Sequence, residues 1–247
     1  GAGFAAWWDP GPPGQPAWRD TMVRLEGTIV TSVQAAFAEN WLESTGQLLT
    51  DPGSFAHCRA LDSQPAVGSD AIVVTGTPSA GRATRARMLF QLLIAGASRS
   101  IRITSPYFLP DRSMRAELRK AVRRGVRVQV VVPGAFNNHP IARRASRRRY
   151  GDLLNAGLEV LEYEPGMNHC KVLLVDELWV VVGSSNFDNR SFGLNDELNL
   201  ALPDRALAAR LREDFERDAA LSRSVDLRDW TRRPMSERLL ALLGALL

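Results

Sequence analysis

Cysteine is almost missing from this chain. Two residues, Cys58 and Cys170, in a length of 247 exclude a disulfide scaffold and agree with a reducing, cytoplasmic setting. Long hydrophobic runs are missing too: "LLALLGALL" at the C-terminus reaches roughly half of a membrane span. The opening "GAGFAAWWDP" lacks the basic start and apolar stretch of a secretory signal. What is present suffices for a core. With 45% hydrophobic and 23% charged residues, disorder is excluded and one large or two modest domains fit.

Acidic residues are scarce in one region. Residues 81–150 hold seventeen Arg or Lys against only Asp111 and Glu117, in a chain whose net charge is +4. Such segregation favours anionic partners: phospholipid head groups, nucleic acid or phosphorylated small molecules. A set of solvated helix faces is the plain alternative. Aromatics interleaved with the arginines are sparse, which disfavours single-stranded nucleic acid.

A Pro/Gly loop at 9–16 precedes "RDTMVRLEG", where Met22, Arg24 and Glu26 alternate with Val23 and Leu25 as in a strand. Val33, Phe37 and Trp41 then keep helical spacing up to Gly46, and residues 50–69 form an aperiodic linker. Beyond it, strands "AIVVTG", "SIRITSPYF", "RGVRVQVVVPG", "LEVLEY" and "ELNLAL" alternate with helices near 82–97, 111–124, 140–155 and 204–219. The expected fold class is α/β: a mixed sheet with helices on both faces. A faint echo links "GAGF" and the strand and helix after it to "SSNF" and its sequel, suggesting two similar halves with the first cut short.

The chemistry gathers in "NHCKVLLVDELWVVVGSSN", 168–186. Alternate strand residues share a face, so His169 and Lys171 project together while Cys170 and Val172 point into packing. An imidazole beside an ammonium suits phosphoryl chemistry: the first attacks phosphorus or protonates a leaving oxygen, the second neutralises non-bridging oxygens. Only Lys120 and Lys171 break the use of Arg among thirty-one basic residues, which points to a geometric demand for a compact charge at 171. Ser184 and Asn186 can add donors from the returning strand. A lone histidine would read as an ordinary core residue; the full spacing argues otherwise.

His169-x-Lys171-x4-Asp176-x6-Gly183-Ser184-x-Asn186 resembles the HKD motif of the phospholipase D superfamily. "SPYFLPD", "RRGVRVQVVVPG", "YGDLLNAGLEVLEY", "NFDNRSFGLNDELN" and "WTRRP" resemble bacterial cardiolipin synthases, as do "WRDTMVRLEG" and "FAENW" for the end of that family's first half.

The resemblance implies a two-lobed sandwich with residues 1–69 closing the first lobe and 70–247 forming the second. It implies phosphatidyl transfer between head groups through a phosphohistidine, with phospholipase D, a nuclease, or a non-catalytic lipid-binding relative as alternatives. His169, in the second half, would be the general acid/base, with Lys171 and Asn186 holding phosphate and Ser184 assisting. Asp176 would support the hairpin, and Glu197 would hydrogen-bond His169 and fix its tautomer. No first HxK precedes "GAGF", and neither His57 nor His139 has Lys two places later. The chain alone is therefore expected to be inactive, its missing half being one partner. His57 reads as a surface residue; His139, before a Pro and the basic helix, reads as an ordinary residue there, with a place near the site mouth as the lesser alternative. An anionic phospholipid and a peripheral position at the inner face of the membrane are the other implied partners; nucleic acid is not. The basic "ARRASRRRY" can meet lipid or be a solvated face, and the C-terminal apolar tail can touch lipid or cap the core. No metal or other cofactor is implied, since Lys and His supply the charge.

Overall fold

A computed structural model describes residues 3–9, 11, 13–51, 53, 55, 70–76 and 84–232. Most of the 50–69 linker, His57, Cys58 and the C-terminal apolar run lie outside the described residues, as does the end of "WTRRP". The expected mixed sheet is present. Its strands in chain order are β1 (Ile72–Gly76), β2 (Ser100–Thr104), β4 (Arg127–Pro133), β5 (Glu159–Tyr163), β6 (Val172–Val175), β7 (Trp179–Gly183), β9 (Glu197–Pro203) and β10 (Ser222–Ser224). They lie side by side as β1-β9-β7-β6-β2-β4-β5-β10. Strands β2, β4 and β5 are parallel, and the other pairings are antiparallel. A short parallel pair, β3 (Phe108–Leu109) with β8 (Phe187–Asp188), forms a separate ladder.

Both faces of the sheet are covered, which explains its near-continuous apolar strands. Along β4, Val128, Val130 and Val132 enter the main core while Val131 turns to the opposite face. Leu173 and Val175 of β6 likewise oppose Leu174, and Val181 of β7 opposes Val180 and Val182. The first face is roofed by α2 (Arg85–Gly96), α3 (Arg112–Arg123) and α5 (Tyr150–Asn155) through Phe90, Ile94, Met114, Leu118, Tyr150 and Leu153. The second is roofed by α6 (Arg205–Ala220) through Ala208, Leu211 and Phe215. Each buried side chain of this size contributes roughly 1.5–3 kcal/mol.

The helix boundaries follow their caps. Asp111 accepts from Met114 N–H at 2.9 Å to open α3, and Asp204 from Leu207 N–H at 2.9 Å to open α6. Helix α1 (Ile29–Thr45) stops at Gly46, which is left-handed and donates its N–H to Leu42 O at 2.8 Å.

Two expectations need correction. The predicted strand at 19–27 is extended but joins no sheet; its ladder contact is one parallel bridge, Arg19 to Asn168. Its alternation is nonetheless meaningful, since Val23 and Leu25 pack on the second face. The predicted helix at 140–155 is two helices, α4 (Pro140–Arg148) and α5, separated at Arg149. A short closing helix, α7 (Leu227–Thr231), and the strands β8 and β10 are additions too brief for periodicity to reveal.

Candidate active site

Two distant segments meet where β6 begins. Arg19 N–H donates to Met167 O at 2.8 Å, and His169 N–H donates to Arg19 O at 2.7 Å. This bridge sets Asp20 beside the imidazole. His169 Nδ1 lies 3.0 Å from Asp20 Oδ2, while Asp20 Oδ1 accepts from Thr21 N–H at 2.8 Å. The Asp20 side chain is only 3% exposed and that of His169 22%. Burial pushes the Asp20 carboxyl up, but the His169 and Thr21 hydrogen bonds and the Lys171 charge hold it below the usual carboxylate range.

Lys171 projects with His169 in the extended run that leads into β6, while Cys170 is buried between them. Its Nζ lies 3.1 Å from Nδ1 and 3.3 Å from Nε2, and it donates to His169 O at 2.7 Å. Burial lowers the Lys171 pKa, and the charges of Asp20 and Glu197 counter it. Trp18 and Trp8 flank the imidazole, with ring centroids at 5.5 and 5.8 Å. The thiol of Cys170 is pushed up to about 11 by burial, which keeps it a protonated, packed group.

The returning strand completes the cluster. Gly183 N–H donates to Lys171 O at 3.3 Å, so the residues after it emerge next to the pair. A Cβ on Gly183 would meet Leu198 O at 2.4 Å and Asn199 Cα at 2.7 Å; only glycine lets β9 come this near. Ser184 is hydrogen-bonded to Glu197 Oε2, and its Oγ accepts from Leu198 N–H at 3.0 Å. Asn186 Nδ2 lies 3.3 Å from Ser191 Oγ, and its Oδ1 is buried without a partner. Phe187 N–H donates to Ser105 Oγ at 2.9 Å, which ties "SPYF" to the end of the motif.

Of the six residues singled out by sequence, His169, Lys171, Ser184, Asn186 and Glu197 gather at one end of the hairpin and Asp176 does not. Asp176 occupies the opposite turn with φ 55°, and Glu177 follows with the same φ. Its carboxylate accepts from Ser98, Arg99 and Ser100 N–H at 2.8, 2.7 and 2.9 Å, and from Ser98 Oγ at 2.9 Å. The partner expected for His169 is also different. Glu197 bonds Ser184 and Asn195, and the carboxylate on Nδ1 is that of Asp20. Sequence reasoning missed Asp20, although "WRDT" carries it as an acid within an extended run. His139 precedes α4, its ring 5.6 Å from that of Tyr107, whose hydroxyl donates to Asn138 Oδ1 at 2.8 Å. Among the described residues no group of three or more His, Cys, Asp or Glu converges to hold a metal.

The layered sheet and the paired imidazole and ammonium define a phospholipase D-like fold. Nuc of Salmonella typhimurium, a phospholipase D family member, superposes with a TM-score of 0.54 at 23% identity, covering 64% of this chain and 99% of that one. Phosphatidylserine synthase of Haemophilus influenzae superposes at 0.56 with 15% identity, covering 71% and 45%. Residues 91–219 match the family model described as "Cardiolipin synthase, PLD-like domain", and the chain belongs to that family. Cardiolipin synthase A of Pseudomonas entomophila is 36% identical over 218 residues, and cardiolipin synthase 2 of Bacillus anthracis 32% over 222. These alignments span 86% and 90% of this chain but 42% of each relative, so the chain spans less than half the length of the proteins it matches.

Proposed function

We propose that the chain supplies one catalytic half-site of a cardiolipin synthase-type phosphatidyltransferase acting on an anionic phospholipid at the inner face of the membrane. The observation that carries this reading is the Asp20–His169–Lys171 cluster. With Nδ1–H directed to Asp20, Nε2 is the nitrogen left to exchange a proton with substrate. His169 acts as general acid/base: Nε2–H protonates the departing alcohol, and the neutral nitrogen then takes the proton of the incoming alcohol. Lys171 and Asn186 hold the phosphate and Ser184 assists, with Glu197 supporting Ser184. A half-turn of the Asn186 amide lets Oδ1 accept from Ser191 and frees Nδ2 to donate to a non-bridging oxygen. Asp176 acts at a distance, by anchoring the hairpin.

One imidazole cannot be nucleophile and leaving-group acid in the same step, so a phosphohistidine route needs a second histidine. That histidine forms the P–N bond as the P–O bond to the departing alcohol breaks, and then yields phosphorus to the incoming alcohol. We assign it to a preceding half, whose end is residues 1–69, with residues 70–247 as the second lobe. Among the described residues no helix is long and apolar enough to cross a membrane.

The test offers labelled phosphatidylglycerol, DNA and bis-p-nitrophenyl phosphate to this chain alone and to the chain joined to a half bearing its own HxK. Head-group transfer by the joined form, abolished by His169→Ala, is the expected result. Turnover by the chain alone, dependent on His169, would mean that two copies pair their motifs. Release of phosphatidic acid without transfer, or cleavage of DNA, would replace the transferase by a phospholipase or nuclease.

A further inference from the structure

Asp218 is a buried acid in the last turn of α6, the helix that roofs the second face of the sheet. Two effects disfavour its charge there. A helix C-terminus repels an anion, and burial withdraws water from the ionised form. Burial pushes the carboxyl above the usual carboxylate range, although the Arg19 charge and the hydrogen bonds from Asn168 and Arg19 oppose it. Nor does packing call for an acid at this position, since Ala208, Leu211 and Phe215 already seat the helix on the sheet.

The two oxygens of Asp218 reach two segments that are far apart in sequence. Arg19 Nε donates to Oδ1 at 3.2 Å, and Asn168 Nδ2 donates to Oδ2 at 3.1 Å. Each donor directly precedes a residue of the candidate site: Arg19 stands before Asp20, and Asn168 before His169. Both side chains pass the restraint on. The Arg19 guanidinium also donates to the backbone carbonyl of Asp20. Asn168 is fully buried, and its Oδ1 accepts from Cys170 N–H at 3.2 Å, so it fixes the backbone on both sides of His169.

The same two residues form the isolated bridge between the segments. Arg19 is paired with Asn168 alone, through Arg19 N–H to Met167 O and His169 N–H to Arg19 O. One bridged pair outside a sheet is too small a ladder to hold itself together in water. Asp218 grips both members of that pair from the side.

We infer that Asp218 is a positioning residue: by clamping Arg19 to Asn168 it keeps the Asp20 carboxylate against His169 Nδ1. It acts only through these two neighbours. Its consequence for the reaction rests on the proposed acid/base role of His169, because a loosened bridge leaves Nδ1 without a fixed acceptor and the ring without a single tautomer. An ion pair that merely fastened α6 would be felt in stability and not by the ring.

The experiment reads the His169 tautomer from nitrogen-15 shifts of the ring in the chain itself. Asp218→Ala should turn the single Nδ1–H form into a mixture. Leu207→Ala, at the other end of α6, removes packing on the same face and should lower Tm with the tautomer unchanged. The exchange Asn168→Asp/Asp218→Asn supplies the rescue. The amide at 218 then accepts from Arg19 Nε and donates to the carboxylate at 168, whose other oxygen still accepts Cys170 N–H. Each single substitution sets two donors or two acceptors face to face, so the tautomer should be disturbed in both and restored in the exchange. In the chain joined to a half bearing its own HxK, Asp218→Ala should lower kcat about tenfold, the size expected of one charge-assisted hydrogen bond, with KM within about twofold.

An unchanged tautomer in Asp218→Ala would overturn the inference, as would a Leu207→Ala that disturbs the ring equally or an exchange no better than either single substitution. Should Asp218→Ala fail to fold by circular dichroism, Asp218→Asn, which keeps one of the two bonds, carries the same test. A joined form that transfers nothing, while the ring responds to Asp218→Ala, sinks the proposed reaction and leaves the clamp standing. Transfer undiminished by Asp218→Ala sinks the clamp alone.

Discussion

Replacing Asp20 by Asn probes the cluster with an isosteric side chain. Asp20 presents one oxygen to Thr21 N–H at 2.8 Å and the other to His169 Nδ1 at 3.0 Å. Asn has one oxygen to offer. If that oxygen keeps the Thr21 bond, the amide NH2 faces Nδ1 and favours the tautomer with its proton on Nε2. The loss has two parts. A charge-assisted hydrogen bond is worth about 1.5–3 kcal/mol, which is roughly 10- to 150-fold in rate at about 1.36 kcal/mol per decade. The inverted tautomer removes the base needed by the incoming alcohol and adds to it, so a fall of about 10²- to 10³-fold is expected. Nitrogen-15 shifts of the His169 ring, measured on the chain itself, report the tautomer independently of turnover. Because the folded pKa of Asp20 is depressed, its stabilisation is present at neutral pH and lost as pH falls through that lowered value. The variant should thus be less stable at pH 7, by a margin that closes below about pH 4. A rate within about threefold of the unaltered protein, or an unchanged tautomer, would refute the positioning role.

Three further outcomes follow from the same hairpin. Asp176→Ala deletes an acceptor of four hydrogen bonds of 2.7–2.9 Å at a partly exposed turn; thermal denaturation should show a loss of about 2 kcal/mol, or roughly 4–8 °C in Tm. Its carboxyl is held low by those backbone N–H groups against the opposing effect of burial, so the Asp176 contribution should vanish in acid. Lys171→Met should abolish transfer yet leave Tm at pH 7 equal to or above that of the unaltered chain. Burial disfavours the ammonium in the fold, and that penalty disappears as pH rises towards the unfolded Lys value. Gly183→Ala would force a Cβ to 2.4 Å from Leu198 O and part β7 from β9; chemical denaturation should register about 3 kcal/mol or more, with activity falling as Ser184 and Asn186 shift.

Much of this architecture was legible because its strands and helices are long enough to show a period. Val128 to Val132 and Leu173 to Val175 read as strands since both faces of the sheet are covered, and the helices near 111–124 and 204–219 read from their spacing. Strands β3 and β8, of two residues each, carry no period at all; they exist because Ser105 receives Phe187 N–H and sets Phe108 opposite Phe187. The split between α4 and α5 escaped for a related reason: five arginines within 143–149 keep helical propensity through Arg149, so nothing in the local pattern marks the break there.

The miss at Asp20 has a different physical origin. Local periodicity placed His169 and Lys171 on one face, because two positions along a strand dictate it. The carboxylate that orients the imidazole comes from 149 residues away, through a single bridge whose two hydrogen bonds no local pattern encodes. Glu197 was the nearer inference, being an acid on the strand beside the hairpin, and its charge does reach Lys171. Yet Ser184 and Asn195 already occupy its oxygens, while Asp20 is sealed against the ring with Trp18 and Trp8 around it. Proximity in sequence therefore assigned the right chemistry to the wrong carboxylate. The residue that positions the imidazole lies in the extended segment ahead of α1, which makes the segment at 18–26 part of the site as well as part of the packing.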